Sequence, residues 1–362
     1  MIFDKIFFDA RYIRIDHHDG ISRFSAGLFD ALSSKAKVVA LICDLRQLEK
    51  LPTGTEYIMA NEPTSWREPF IAATLNRAGA KVVFSPMQTI GSLGRRYKLI
   101  LTVHDLIYYR HKTPPAGFNA VIRLLWRFYH LSYAPQRWLL NRADAVATVS
   151  DTTQRLMRTN NLTKRPISVI YNAAGSSAHN GAFTPPAARP RQNQSLVYMG
   201  SFMDYKNVEV LIDGMKYLPD FELNLLSKIT PQRRAELDGR VAAGGGKVIF
   251  HNGVSDEEYH RQLEGAVALV SGSQDEGFGI PLVEAMSLGI PVVASDIEIF
   301  REIGATAAIY FDQTSPSDFA KKIGSLETNE KWMARSSECL TSAKRFDWHQ
   351  SADALLSLIS KL

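Results

Sequence analysis

The chain has only two cysteines, Cys43 and Cys339. They can build neither a disulfide framework nor a cysteine-based zinc site, so a reducing compartment is expected. No run of 18 apolar residues occurs, which argues against a membrane-spanning helix. The opening residues, MIFDKIFFDARYIR, carry a charge every few positions and read as neither a signal nor a transit peptide. Glycine (23) and proline (16) are sparse for a collagen-like or low-complexity chain, and 45% hydrophobic residues are too many for a disordered one. What remains is an ordinary globular composition over 362 residues, enough for about two domains with substantial cores.

Charge is unevenly placed. Residues 1–172 hold 24 Lys+Arg against 13 Asp+Glu, a net +11, and the remainder holds 18 against 24, a net −6. Within 95–142 nine basic residues face a single acid, Asp105. Such a half attracts anions: nucleic acid, anionic lipid or phosphorylated substrates. A solvated basic face is the simpler alternative.

Short apolar runs alternate with helical periodicity. The early strand candidates are KIFFDARYI, VVALIC, KVVFSP, KLILTVHD and DAVATVS, with helical patterns at 21–36, 67–78 and 117–141. After a break the pattern restarts with SLVYMGS, LNLLSK, KVIFHNG, AVALVSGS, PVVASD and AAIYFD. Continuous apolar strands separated by helices imply parallel sheets covered on both faces. The break, 173–194, is rich in Gly, Pro and Ala without apolar period and reads as a linker. The expected architecture is α/β: two doubly wound Rossmann-like domains at 1–172 and 195–345. An amphipathic helix within 346–362 is expected to pack back on the N-terminal domain. Ligands of such sheets bind beyond the carboxyl ends of the strands, and the cleft between facing domains is the expected site.

The most informative stretch is 271–291, SGSQDEGFGIPLVEAMSLGIP. An apolar strand, placed at 266–270, runs into a glycine turn and then a helix. Pro281 suits the first helical turn and Gly289 the C-terminal cap. Gly277 and Gly279 admit close backbone approach, and a helix start attracts anions. Glu276 falls on the turn and Glu284 about one turn into the helix, so both can reach one extended ligand. The alternative for Glu284 is a carboxylate that merely satisfies the helix dipole.

The string E-G-F-G-I-P-L-V-E-A-M resembles the E-x7-E motif of retaining family 4 glycosyltransferases, which have the GT-B fold. Other segments agree. Val197-Tyr-Met-Gly-Ser201 with Tyr205-Lys-Asn-Val208 resembles the family's strand, turn and lysine before a helix. Val254-Ser-Asp-Glu-Glu258 resembles a helix start, and Gly289-Ile-Pro-Val-Val-Ala-Ser295 the following strand. Thr102-Val-His-Asp-Leu106, Gly20-Ile-Ser-Arg23 and Val169-Ile-Tyr-Asn172 resemble N-domain motifs. The resemblance implies an acceptor-binding domain at 1–172, a nucleotide-sugar-binding domain at 195–345, and transfer with retention of anomeric configuration. It implies that Glu284 holds the ribose hydroxyls and Glu276 a hydroxyl of the donor sugar. Backbone N–H groups of Phe278, Gly279 and Ile280 position sugar and diphosphate, with Gly277 in the same turn. Lys206 neutralises the departing diphosphate, His104 lines the pocket at the reacting sugar, and Gly20 and Ser201 lie along the donor. Asn207 is expected to cap the helix after Lys206. His104 and Asp105 are expected to stand as a pair at a strand end.

Departures are visible too. Tyr205 and Ser201 stand where many relatives carry an arginine, and Ser22 where a second glycine is common; Arg23 is one cation that can stand in. No Asp-x-Asp occurs, which argues against the metal-dependent single-domain glycosyltransferases, so neither metal nor cofactor is expected. The resemblance points toward bacterial mannosyltransferases of polysaccharide and glycolipid pathways, with GDP-mannose as donor and a glycan or lipid-linked acceptor. UDP-glucose or another hexose donor, a UDP-sugar 2-epimerase and a non-catalytic glycan-binding relative are the alternatives. The stretch 118–142 mixes Arg123, Arg127, Arg137 and Arg142 with Trp126, Phe128, Tyr129, Tyr133 and Trp138. It suits an anionic membrane surface, or else packs on the sheet; no nucleic-acid module accompanies it. The expected location is cytoplasmic, peripheral on the inner membrane face.

Overall fold

The computed structural model describes residues 5–15, 19–114, 120–175, 186–190, 194–244 and 246–362. The chain divides into two units: 1–173 with 346–362, and 174–345.

The first unit is built on a parallel sheet of seven strands: β1 (Ile6–Asp9), β2 (Val38–Ile42), β3 (Glu56–Met59), β4 (Val82–Ser85), β5 (Lys98–Val103), β6 (Ala145–Thr148) and β7 (Ile167–Val169). Their order is β3-β2-β1-β4-β5-β6-β7. β1, β2, β4 and β6 are buried along their whole length, as unbroken apolar runs predict. The second unit repeats the plan with six: β8 (Ser195–Tyr198), β9 (Glu222–Leu225), β10 (Lys247–Phe250), β11 (Ala268–Ser271), β12 (Val292–Ser295) and β13 (Ile309–Phe311), in the order β10-β9-β8-β11-β12-β13. In each sheet the winding reverses once, between β1 and β4 and between β8 and β11. A crevice at the carboxyl ends opens at such a point. Strand β11 lies two residues later at its start than the sequence suggested. The edge strand β3 had no apolar-run signal, because three of its four residues are exposed.

The helix Gly20–Ser33 starts where the Asp19 carboxylate accepts from the Ser22 N–H at 2.8 Å. Its Phe24, Leu28, Ala31 and Leu32 recur at helical spacing, and all are buried. The C-terminal helix Trp348–Ser360 belongs to this unit and lies on that helix. A Cβ at Gly27 would stand 2.3 Å from Cε2 of Trp348, so glycine is needed for the close approach. The Ser351 hydroxyl donates to the Tyr171 carbonyl at 2.7 Å, and Lys35 pairs with Asp353 at 2.6 Å.

The segment read as one helix at 117–141 is two, Ala120–Tyr129 and Ala134–Asn141; residues 117–119 lie outside the described residues. Ser132 and Pro135 divide them: the serine hydroxyl accepts from the Ala134 N–H at 3.3 Å, and Pro135 fits the first turn of a new helix. Much of 173–194 also lies outside the described residues. Arg189 ties the described part to the second unit, donating to the Leu326 carbonyl at 2.8 Å.

One charge network fixes the first sheet's carboxyl end. Arg11, directly after β1, is buried with both forks of its guanidinium engaged. Nε and Nη2 donate to Asp9 at 2.7 and 2.9 Å, and Nη1 and Nη2 to Glu68 at 2.6 and 3.0 Å. Burial alone would lower the pKa of Arg11; the paired Asp9 and Glu68 more than reverse that. Glu68 also accepts from Asn61 and from the Gly91 N–H, so two loops hang on this one cation.

Candidate active site

In the second unit the turns after β8 and β11, neighbours at the winding reversal, are sewn together. The Gln274 N–H donates to the Tyr205 carbonyl at 2.7 Å. Asn207 Nδ2 donates to the carbonyls of Gly272 at 3.2 Å and Gln313 at 2.9 Å. Asn207 is therefore not the side-chain cap expected for the helix Val208–Gly214. It sits in the left-handed region, φ 47°, and its amide bonds two other loops. A short polar side chain tolerates that backbone better than most.

This stitching brings Lys206 to Glu276. The ammonium lies 2.5 Å from Oε1, and the Ser273 hydroxyl donates to the same oxygen at 2.9 Å. Lys206 and Glu276 are only 15% and 14% exposed, so their attraction is less screened than that of a surface pair. Gly279 follows in the left-handed region, φ 95°, and a Cβ there would come 2.9 Å from Phe300. It opens the helix Ile280–Ser287, which has Pro281 in its first turn as anticipated. Gly289, φ 67°, closes it. Phe278 is buried and anchors the turn. Glu284 is 2% exposed within this helix, and the Tyr259 hydroxyl donates to its Oε2 at 2.9 Å. At the end of β8 the Tyr198 hydroxyl donates to the Ser201 carbonyl at 2.6 Å, fixing the turn that leads to Lys206.

The first unit carries Gly20, Arg23 and His104. Gly20 is the first residue of its helix. The neighbouring Ser22 is buried: its hydroxyl accepts from the Arg14 N–H at 2.9 Å. His104 follows β5. Its Nε2 donates to the Pro86 carbonyl at 2.7 Å, and its ring meets Phe24 edge-on at 5.1 Å. A carbonyl only accepts, so the proton is on Nε2 and the neutral ring offers Nδ1 as an acceptor. Burial holds the imidazole below its ordinary value of 6.5, against the opposing pull of Pro86 and Asp105. The ring thus stays neutral to lower pH than a free histidine. Asp105 turns to its own chain, accepting from the Ile107 N–H at 3.0 Å.

Sequence reasoning missed Ser273, Tyr259 and the Asp9–Arg11–Glu68 network. Tyr259 had a signal: a tyrosine four residues before Leu263 on a buried helix face needs a partner for its hydroxyl. Among the described residues no group of three His, Cys, Asp or Glu side chains is placed to hold a metal ion.

Two doubly wound parallel sheets, each reversing its winding once, are the architecture of the GT-B fold. The fold matches sucrose-phosphate synthase from Thermosynechococcus elongatus, with TM-score 0.75, 18% identity, and 99% of this chain and 98% of that one covered. It also matches HepE from Anabaena in complex with UDP and glucose, with TM-score 0.74, 19% identity, and 99% and 100% covered. Residues 184–345 match the model for glycosyl transferases group 1, and residues 61–174 that for glycosyltransferase family 4. The O-antigen chain mannosyltransferase RfbU of Salmonella typhimurium is 26% identical over 335 residues, 85% of this chain and 87% of the relative. The serotype-specific mannosyltransferase WbdA of Escherichia coli is 35% identical over 114 residues; that match spans 30% of this chain and only 13% of the relative. Together the two models span 61–174 and 184–345, so the chain resembles family 4 and group 1 glycosyltransferases over most of its length.

Proposed function

We propose that this chain transfers a hexose from a nucleoside-diphosphate sugar to a glycan or lipid-linked acceptor, with retention and without a metal ion. The reading rests on the Lys206–Glu276 pair, 2.5 Å apart beside the helix start that carries the buried Glu284. In this reading Glu284 takes the ribose diol and Glu276 a hydroxyl of the sugar. The N–H groups of Phe278, Gly279 and Ile280 align sugar and diphosphate in the turn of Gly277. Lys206 meets the diphosphate as it leaves, with Gly20 and Ser201 along the donor. The bond from C1 to the phosphate oxygen breaks as the acceptor oxygen bonds to C1. The acceptor's proton goes to that same phosphate oxygen. A fixed cation and a helix start aimed at growing negative charge are worth several kcal/mol in such a step. His104, neutral with Nδ1 as acceptor, orients a hydroxyl of the reacting sugar. Similarity to the mannosyltransferases RfbU and WbdA supports mannose as the sugar, with GDP-mannose the first donor to try, and HepE's complex with UDP and glucose supports a nucleotide sugar in general. UDP-glucose is the second donor to try.

The test is incubation with GDP-mannose, UDP-glucose and other hexose donors in EDTA. One donor should release its nucleoside diphosphate steadily. Activity lost in EDTA and restored by Mg²⁺ or Mn²⁺ would contradict the metal-independent reading.

A membrane-face acceptor is favoured by the helix Ala120–Tyr129. Ile122, Leu124, Leu125 and Phe128 are 44–62% exposed along it, with Arg123 and Arg127 exposed beside them. Trp126 instead lies tilted over His130 at 4.1 Å and meets Tyr108 edge-on at 5.2 Å, and Tyr133 lies tilted over Tyr109 at 4.1 Å. The expected aromatics thus divide between packing and solvent. An apolar face flanked by arginines suits the interface of an anionic bilayer, on this reading the cytoplasmic one. The helix is expected to bind anionic but not neutral vesicles and to release them at high salt, with about 1 kcal/mol for each arginine near the surface. Arg123→Ala with Arg127→Ala should weaken that binding; equal binding to both vesicle types would refute it.

A further inference from the structure

We propose that Tyr259 is a positioning residue for donor recognition: its hydroxyl sets the Glu284 carboxylate in the orientation that a ribose diol requires. The inference rests on the reading of Glu284 given above. Tyr259 lies on the helix Asp256–Glu264, which starts where the Ser255 hydroxyl accepts from the Glu258 N–H at 3.1 Å. The whole residue is buried, as is Leu263 one turn later on the same face. Its hydroxyl crosses to a different helix and donates to Oε2 of Glu284 at 2.9 Å.

The chemistry makes this contact more than packing. A phenylalanine would fill the same volume, and a buried hydroxyl is costly unless it is bonded. The last torsion of a glutamate is broad, so burial alone leaves the plane of its carboxylate loosely set. A phenol held by a buried ring has little freedom, and one O–H from it selects one plane. Two vicinal hydroxyls donate well to a carboxylate only when its lone pairs lie in the plane they share. Tyr259 thereby acts on ribose through Glu284 while touching no part of the donor. Its removal should weaken recognition of the ribose hydroxyls and leave recognition of base and diphosphate unchanged.

The experiment is calorimetric titration of the full chain with UDP, GDP and ADP, followed by the 2′,3′-dideoxy counterpart of the tightest. Wild type, Tyr259→Phe, Glu284→Gln and the double variant are compared. Tyr259→Phe should weaken the ribonucleotide about three- to ten-fold, the range of one net hydrogen bond, and leave the dideoxynucleotide unchanged. The double variant should bind no more weakly than Glu284→Gln alone, since the two act as one unit. Equal weakening of both ligands by Tyr259→Phe would show a structural role, and no change in either would show none; each overturns the inference. Tyr259→Leu serves as a second variant with the same expectation, and dideoxynucleotide binding reports that the fold is intact. If Glu284→Gln leaves the ratio of ribo to dideoxy affinity unchanged, the assignment of Glu284 itself fails. If Glu284→Gln collapses that ratio and Tyr259→Phe does not, only the role of Tyr259 fails.

Discussion

Lys206→Ala should cut turnover about 10²–10³-fold, the usual effect of removing one group that stabilises charge developing in a transition state. The ammonium sits on a turn held by the Gln274–Tyr205 and Asn207–Gly272 hydrogen bonds and is steadied by Glu276. A diphosphate is already charged in the ground state, but its bridging oxygen gains a full charge only as the bond to the sugar breaks. Loss of the cation should therefore lower kcat more than it raises the donor KM. The readout is release of nucleoside diphosphate from the sugar donor, with a melting curve to show that the fold survives. A kcat within three-fold of wild type would remove Lys206 from the machinery.

The second large effect falls on stability. Arg11→Met leaves Asp9 and Glu68 buried, or nearly so, without the cation that both grip, at 0% and 16% side-chain exposure. Removing one partner of a buried ionic network costs about 3–5 kcal/mol, because the remaining charges stay desolvated. The loss should appear as a lower midpoint in urea, carried by the unit that contains 1–173 and the C-terminal helix. The loops at 61–70 and 89–91 should become more open to proteolysis, since Glu68 holds Asn61 and Gly91. A shift below 1 kcal/mol would mean that the network is solvated more than its burial implies.

The α/β architecture was legible because unbroken apolar strands such as VVALI and VVAS are buried on both faces and recur between amphipathic helices. The family resemblance was legible because the stretch from Glu276 to Met286 combines a turn glycine, a first-turn proline and two carboxylates at fixed spacing. The illegible parts depend on tertiary partners. Strand β3 pairs at an edge and exposes most of its side chains, so no hydrophobic run marked it. Asn207 reads as a cap in any local window; only the neighbouring loops show that its amide is used elsewhere. Arg11 sits in an apolar string and gave no hint of Glu68, which lies 57 residues further on. The spacing of Tyr259 and Leu263 called for a partner to the tyrosine hydroxyl, but only the fold shows that the partner is Glu284.

The central claim is that the second unit holds a nucleoside diphosphate through Glu284 and Lys206 without a metal. Thermal melting of the full chain in EDTA with GDP, UDP, ADP and their hexose derivatives tests it most directly. At 100 times its dissociation constant, a ligand bound only by the native state adds about 2.7 kcal/mol. The account predicts that one nucleotide raises Tm in EDTA. Glu284→Gln should diminish that rise by about 1.5–3 kcal/mol of lost charge-assisted contact. A wild-type melting curve unmoved by every nucleotide, or moved equally in Glu284→Gln, would contradict it.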